Sequence, residues 1–231
     1  RSVNVLVLAI VTRRFRVPVL WVFLGHGGCS SVKDRAGLIE RYLKLFGSSS
    51  IKMLLADREF IGMEWLNFLL KNNVPFAIRL KEDRKLLTKD GRLLSLATRL
   101  RKHRRGLWNG WLHGMNQTQE NCIHIVAKRS KTGEAIFIVT NIDNPKRALS
   151  AYKKRWAIEC LFSDAKTHGL NLEDTHMTDP RKLETLLAVL ALAIAWAYRC
   201  ATKSMGRKNI PRKTHGRREK SWFRIGLDTL R

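Results

Sequence analysis

The fold is decided by residues 51–80, IKMLLADREFIGMEWLNFLLKNNVPFAIRL. Ile51–Ala56 is an apolar run that predicts a buried strand ending at Asp57, and Met63–Lys71 has the apolar spacing of a short helix. Pro75–Leu80 is a second strand-forming run. A strand, a helix and a strand in this order are typical of an α/β sheet.

Two β-branched and aliphatic runs precede this stretch. Val3–Val11 and Val17–Leu24 are joined by the basic turn Thr12–Arg16 and predict two adjacent antiparallel strands. A helix is predicted over Asp34–Phe46, because its apolar positions recur at helical spacing and Gly47 is a typical stop.

Residues 81–144 are predicted to form an inserted, mostly β subdomain. The segment is strongly basic through Arg105, and Ile123–Ala127 with Ala135–Thr140 predict a β-hairpin. Helices follow, one from about Pro145 to His168 and the next from about Arg181 to Lys203.

The last predicted helix is apolar, whereas the end of the chain is basic. The apolar run of that helix, Leu186–Tyr198, is shorter than the roughly 20 residues that cross a bilayer, so it predicts a buried helix. Residues 204–231 are a basic segment that is expected either to fold over the core or to follow DNA. The chain begins with Arg1 and not Met, so we expect a cut amino terminus.

The charge of the chain indicates its partner. There are 44 Lys and Arg against 19 Asp and Glu, a formal charge of +25. Such a charge is suited to polyanions, nucleic acid first, and no membrane anchor or lipidation signal is evident. A hydrophobic fraction of 45% excludes a wholly disordered basic protein. The cysteines form no CxxC pair, so they predict neither a zinc site nor disulfides but reduced thiols in the cytosol: Cys29, Cys122, Cys160 and Cys200.

Four polar residues share one face of the predicted helix 145–168. Tyr152, Arg155, Glu159 and Lys166 are three, four and seven positions apart, which is close to whole helical turns. Alone, Arg155 and Glu159 would be an ordinary surface pair. Phosphodiester chemistry, however, needs carboxylates, because Mg²⁺ prefers oxygen ligands and two such ions stabilise an in-line displacement.

Asp57 is the second candidate carboxylate. It lies at the end of a strand, where α/β sheets place ligands. An acid in this position is otherwise usually a helix cap or a solvated turn residue.

The spacing of the four helix residues resembles the YREK signature of the insertion-sequence-four family of DDE transposases. Residues 55–62, LADREFIG, and 75–81, PFAIRLK, are similar to the block around the second aspartate of that family. The order and separation agree, and the resemblance extends from Val3 to Leu227.

The resemblance implies a ribonuclease H-like α/β fold, with a mixed sheet flanked by helices and an inserted mostly β subdomain. Residues 1–80 would begin the core, residues 81–144 would be the insertion, and residues 145–203 would complete the core before the tail 204–231. Two Mg²⁺ or Mn²⁺ ions are implied, with Asp57 and Glu159 as catalytic metal ligands. Tyr152, Arg155 and Lys166 would bind DNA phosphates.

The implied activity is cleavage of transposon ends and strand transfer into target DNA. Double-stranded DNA is then the partner, no membrane is involved, and a homodimer in the cytoplasm, associated with the nucleoid, is expected. The first aspartate of the family has no counterpart here and would lie upstream of Arg1. We therefore expect the isolated chain to be inactive, since two carboxylates are a poor substitute for three.

Alternatives remain at this point. Trp108 or Trp111 would stack on a base displaced near the cut, or both would be apolar anchors of the insertion. The chain as a whole would otherwise be a non-catalytic DNA-binding remnant, a ribonuclease H-like nuclease that does not join strands, or a basic RNA-binding protein.

Overall fold

The computed structural model describes residues 3–12, 14–101, 103–130, 132–166, 170–206, 208–216 and 218–230. Two compact units divide the chain. The sheet unit is Cys29–Arg155, and the helical unit combines Arg1–Gly28 with Trp156–Arg231.

The strands, in chain order, are β1 (Asn4–Val11), β2 (Arg16–Leu24), β3 (Leu54–Ala56), β4 (Phe76–Leu80), β5 (Lys85–Leu87), β6 (Leu93–Ser95), β7 (Arg105–Leu112), β8 (Ile123–Arg129) and β9 (Ala135–Thr140). The helices are α1 (Val32–Phe46), α2 (Met63–Lys71), α3 (Leu96–Arg101), α4 (Lys146–Tyr152), α5 (Trp156–Lys166), α6 (Pro180–Met205) and α7 (Trp222–Leu230).

The sheet unit contains a seven-stranded mixed sheet in the order β3-β4-β9-β8-β7-β5-β6. β3 and β4 are parallel and α2 connects them, whereas the other neighbouring strands are antiparallel. The strand–helix–strand prediction for residues 51–80 is confirmed, although β3 begins at Leu54 and not at Ile51. This mixed α/β architecture with flanking helices confirms the predicted fold class and is consistent with a ribonuclease H-like fold.

The core of the sheet unit lies along its central strands. Phe76, Ile78, Ile125 and Phe137 are fully buried there. Asn141 closes the β4 end of this core, since its side chain accepts from the Phe76 N–H at 2.9 Å and donates to a neighbouring carbonyl at 3.0 Å. Satisfying buried backbone groups in this way fixes where β4 begins.

The strands of residues 81–144 extend the same sheet. β9 pairs with β4, and the predicted hairpin of β8 and β9 is confirmed. β5, β6 and β7 were not predicted, because they are short or lie in a basic stretch without clear alternation. Gly110 allows β5 and β7 to approach, since its φ is +151° and a Cβ there would collide with the Leu87 carbonyl.

The helical unit combines the hairpin of β1 and β2 with three helices. The two strands are antiparallel, as predicted, with a shift of register between Leu8 and Ala9. Leu161 of α5, Ile194 and Ala197 of α6, and Phe223 of α7 share one buried core. The tail therefore ends in a helix that packs on the core.

The predicted single helix from Pro145 to His168 is wrong in one respect. α4 ends at Tyr152, residues 153–155 form a 3₁₀ turn, and α5 follows to Lys166, while His168 lies outside the described residues. Ala148 packs in the core of the sheet unit and Leu161 in that of the helical unit. The two helices thus serve different cores, and the tighter 3₁₀ turn between them interrupts the α-helical pattern.

α6 is longer than its uninterrupted apolar run. Among the described helices it is the one with the length and composition to cross a membrane, a property that it shares with core helices of soluble proteins. The prediction of a buried helix is correct for one face only. Val189, Leu192 and Trp196 are 57%, 71% and 64% exposed.

Candidate active site

Asp57 follows directly on β3, at the carboxyl end of the parallel pair of strands. Its Oδ1 accepts a hydrogen bond from the backbone N–H of Arg58 at 2.8 Å, so the residue caps the 3₁₀ turn Arg58–Phe60. An acid at a strand end is ordinarily a cap, and Asp57 is one. The cap fixes the direction in which the carboxylate points.

Tyr152 brings α4 to this carboxylate. It is the last residue of α4, and its ring packs with Leu149 against the small core around Ala77 and Ile138. From there its hydroxyl donates to Asp57 Oδ1 at 3.0 Å. Oδ1 thus receives two hydrogen bonds.

Arg155 lies at the other carboxylate oxygen. Its Nη1 is 3.7 Å from Asp57 Oδ2, an ion pair, and its guanidinium carbon is 5.9 Å from the centre of the Tyr152 ring. The structure therefore brings together three residues that the sequence singled out, and all three belong to the sheet unit.

This arrangement favours the ionised form of Asp57. Partial burial acts to raise the pKa of its carboxyl, but the Arg58 N–H, Arg155, the Tyr152 hydroxyl and Arg79 together lower the pKa below its ordinary value of 3.8. The pKa of Tyr152 is raised, by burial first and by the neighbouring Asp57 next. At neutral pH the site holds an anionic carboxylate beside a neutral phenol.

Arg79 is a residue that the sequence analysis did not single out. It lies on β4, one position after Ile78, which is paired with Ala56 at the end of β3. Its positive charge contributes to the low pKa of Asp57, while its Nη2 is 3.3 Å from Glu134 Oε1. Parallel pairing of β3 with β4 would have indicated Arg79, because neighbouring parallel strands end at the same edge of a sheet and Asp57 follows β3.

A buried arginine supports the turn that follows Asp57. Arg35 of α1 donates to Ser30 Oγ at 2.8 Å and to the Ser30 carbonyl at 2.6 Å. Its guanidinium lies 4.8 Å from the centre of the Phe60 ring. Stacking of this kind holds the 3₁₀ turn against α1.

Glu159 and Lys166 lie on α5, in the helical unit. Glu159 is half-buried and Lys166 is exposed. Leu161 and Ala165 pack this helix into the core of the helical unit, whereas Phe162 is 38% exposed. The approach of Glu159 to Asp57 stays a prediction.

Trp108 and Trp111 both lie on β7 and are half-buried. The Trp111 indole N–H donates to the Thr118 carbonyl at 2.8 Å, and the Trp108 ring covers Gly106, where a Cβ would collide with it. Both rings contribute to packing in the sheet unit. A role in base stacking stays a prediction.

The donor chemistry of Asp57 fits a divalent cation. An ionised carboxylate offers the hard oxygen that Mg²⁺ and Mn²⁺ prefer. Within the described part of the chain, no three His, Cys, Asp or Glu side chains gather into a group that would hold a metal ion.

A family model described as a transposase DDE domain matches residues 9–196. No curated protein matches the chain. The matched region includes each of the site residues described above.

Proposed function

Because the chain belongs to the transposase DDE-domain family, we propose that it cuts DNA at the ends of a mobile element and joins those ends to target DNA. The family acts on DNA and uses divalent metal ions. The observation that carries the proposal is the ionised Asp57, held by Arg58, Tyr152 and Arg155 at the end of β3.

Asp57 and Glu159 are proposed as ligands of Mg²⁺ or Mn²⁺. When bound, such ions stabilise the attacking and leaving oxygens of an in-line phosphodiester displacement. Two ions are expected in the intact enzyme. The cap by Asp57 on the Arg58 N–H and the hydrogen bond from the Tyr152 hydroxyl keep the Asp57 carboxylate ionised and oriented for this role.

Arg155, Tyr152 and Lys166 are proposed to bind the phosphates beside the cut. The guanidinium of Arg155 offers paired donors that match phosphate oxygens. Its ion pair with Asp57 is long, at 3.7 Å between Nη1 and Oδ2, which is beyond the length of a hydrogen bond. Tyr152 would contribute through its ring, which lies under the Arg155 guanidinium, since its one hydroxyl hydrogen is donated to Asp57.

The partner is double-stranded DNA, both element ends and target, and we propose a homodimer that brings two ends together in the cytoplasm. The domain boundaries 1–80, 81–144, 145–203 and 204–231 are retained as proposals. Trp108 and Trp111 are proposed to stack on a displaced base, which predicts weaker end processing in Trp108→Ala than in Trp108→Phe.

The test is an assay of cleavage and joining with the protein expressed from its complete reading frame. Asp57→Asn and Glu159→Gln should each lower Mg²⁺-dependent cleavage at element ends by about 10³-fold or more, equal to about 4 kcal/mol of barrier. Glu40→Gln, a change at an exposed acid of α1, is the matched control and should cleave normally.

The outcomes separate the alternatives. Ends that are cut but not joined would indicate a nuclease. DNA that is bound but not cut, in the wild type with Mg²⁺, would indicate a non-catalytic remnant. Cleavage that survives both substitutions would contradict the proposed roles of Asp57 and Glu159.

A further inference from the structure

We propose that the helical unit carries a second DNA-binding surface, which holds the phosphate backbone of duplex DNA. We call it the basic hairpin surface, and it consists of Arg14, Lys208, Arg212, Lys213 and Arg218. The inference rests on the proposed function only in taking DNA as the partner. None of these five residues belongs to the proposed catalytic set.

The carboxyl-terminal segment forms a defined hairpin. The backbone N–H of Glu219 donates to the Pro211 carbonyl at 2.9 Å, and Arg212 and Arg218 face each other across an antiparallel β-bridge. At the tip, the Gly216 N–H donates to a carbonyl at 2.8 Å, and the φ of +79° at Gly216 is one that glycine tolerates. Among the described residues, backbone hydrogen bonds therefore join the two arms of the hairpin and its tip.

Both ends of the hairpin are anchored in the core of the helical unit. Ile210 precedes it and Trp222 follows it, and each is 7% exposed. Arg14, from the turn between β1 and β2, lies with its guanidinium 5.0 Å from the centre of the Trp222 ring, and its Nη1 is 3.5 Å from the Gly206 carbonyl. The turn between β1 and β2 thus contacts residues on both sides of the hairpin.

The pairing of Arg212 with Arg218 is unfavourable in the protein alone. Like charges directly opposite each other on paired strands are destabilising. A bound polyanion removes that repulsion, because one phosphate group between two guanidinium groups attracts both.

The acids of the segment do not neutralise the surface. Asp228 is paired with Lys220 at 2.8 Å and with Arg224 at 3.0 Å. Glu219 is the other acid between residues 208 and 230. In the described part of that segment, no ion pair involves the cations of the basic hairpin surface, and their side chains are exposed.

The chemistry favours DNA over a membrane. Residues 211–220, PRKTHGRREK, contain no large apolar side chain that would enter a lipid interface. Cations on an exposed hairpin suit contacts with the phosphate backbone, which are strong at low salt and independent of base sequence.

The experiment measures the affinity of the 231-residue chain for a duplex oligonucleotide of unrelated sequence, without divalent metal, between about 50 and about 200 mM salt. The test variant is Lys208→Gln/Lys213→Gln/Arg218→Gln. Arg212 is retained because its Nη1 donates to the Gly216 carbonyl at 3.3 Å and supports the hairpin. The control, Lys33→Gln/Lys44→Gln/Lys52→Gln, removes three exposed cations from the sheet unit.

Each phosphate contact contributes about 0.9 to the slope of log affinity against log salt. The magnitude of this slope should therefore be smaller than that of the wild type by about 2 to 3 in the test variant and by less than about 1 in the control. Both variants should keep the wild-type melting temperature. Adding Arg14→Gln to the test variant should lower the magnitude of the slope by about 1 more. This result would indicate that the turn between β1 and β2 and the hairpin bind the same DNA.

Equal losses in the test and control variants would overturn the proposal, since affinity would then follow net charge alone. A test variant that loses affinity for single-stranded RNA but not for duplex DNA would also overturn it. The measurement is made without divalent metal, and its variants leave the proposed catalytic residues unchanged. Failure of this surface is thus distinguishable from failure of the proposed cleavage.

Discussion

At the level of single residues, the hydrogen bond from the Tyr152 hydroxyl to Asp57 Oδ1 connects α4 to the carboxylate that follows β3. Asp57 and Tyr152 were each singled out, yet the hydrogen bond between them could not be predicted, because they are 95 positions apart and α4 had been predicted to continue without a break. The sequence predicts for Tyr152 only a role in binding DNA phosphates. In the structure it also fixes a carboxylate.

Removing the Tyr152 hydroxyl should weaken the ionised form of Asp57. In Tyr152→Phe we expect the pKa of Asp57 to rise and the free energy of unfolding at neutral pH to fall by about 1 kcal/mol. A lowered carboxylate pKa adds stability above the pKa of the unfolded chain, and that stability is lost as pH falls through the folded-state pKa. The difference between wild type and variant should therefore shrink below about pH 4.

The matched control is Tyr42→Phe. The Tyr42 hydroxyl accepts a hydrogen bond from Ser50 Oγ at 3.2 Å, a contact between neutral groups. Its loss should lower stability equally at every pH, as measured by urea unfolding. A pH-independent effect of Tyr152→Phe would contradict the account of Asp57.

At the scale of elements, periodicity predicted what local sequence determines. α2 was predicted with its observed bounds, and the β1–β2 and β8–β9 hairpins were predicted as antiparallel pairs. α1 begins two residues before Asp34, because Ser31 and Asp34 form a capping box. The break between α4 and α5 was missed, since it depends on which core each helix enters.

A partly buried ion pair joins α5 to β2. Asp164 Oδ2 accepts from Arg16 Nε at 3.2 Å and from Arg16 Nη2 at 2.8 Å. Asp164→Ala leaves the half-buried guanidinium without this partner and should lower the free energy of unfolding by about 2 to 3 kcal/mol.

Replacing both partners, in Arg16→Met/Asp164→Leu, should recover most of this loss. Asp90→Ala breaks the exposed pair with Arg92 and should leave unfolding unchanged within error. If Asp164→Ala were as harmless as Asp90→Ala in urea titrations, the pair would not be what holds α5.

Two glycines make a second matched test. Gly226 of α7 lies so close to α6 that a Cβ would collide with the Ala197 carbonyl, whereas a Cβ on Gly37 of α1 meets nothing within 4 Å. Gly226→Ala should destabilise the protein by about 1 to 3 kcal/mol. Gly37→Ala should stabilise it by about 0.5 to 1 kcal/mol, because glycine is costly inside a helix. If thermal unfolding showed changes of melting temperature with the same sign in both variants, the result would contradict this packing.

At the scale of the whole molecule, composition predicted the partner but not the surface that binds it. A charge of +25 favours nucleic acid wherever the cations lie. Only the structure shows that Arg14 meets the segment around Trp222, and that Arg155 and Arg79 act on Asp57. These groupings depend on long-range contacts that no local pattern contains.

The proposed roles of Asp57 and Glu159 require both carboxylates to bind the same divalent metal site. Fe²⁺ can replace Mg²⁺ at a carboxylate site, and its reaction with peroxide yields hydroxyl radicals that cut the backbone next to the place where it binds. With Fe²⁺, ascorbate and peroxide, we expect fragments from cleavage near residue 57 and near residue 159, both suppressed by excess Mg²⁺ and both lost in Asp57→Asn. Cleavage at only one of the two positions, or cleavage near 159 that survives Asp57→Asn, would contradict the claim.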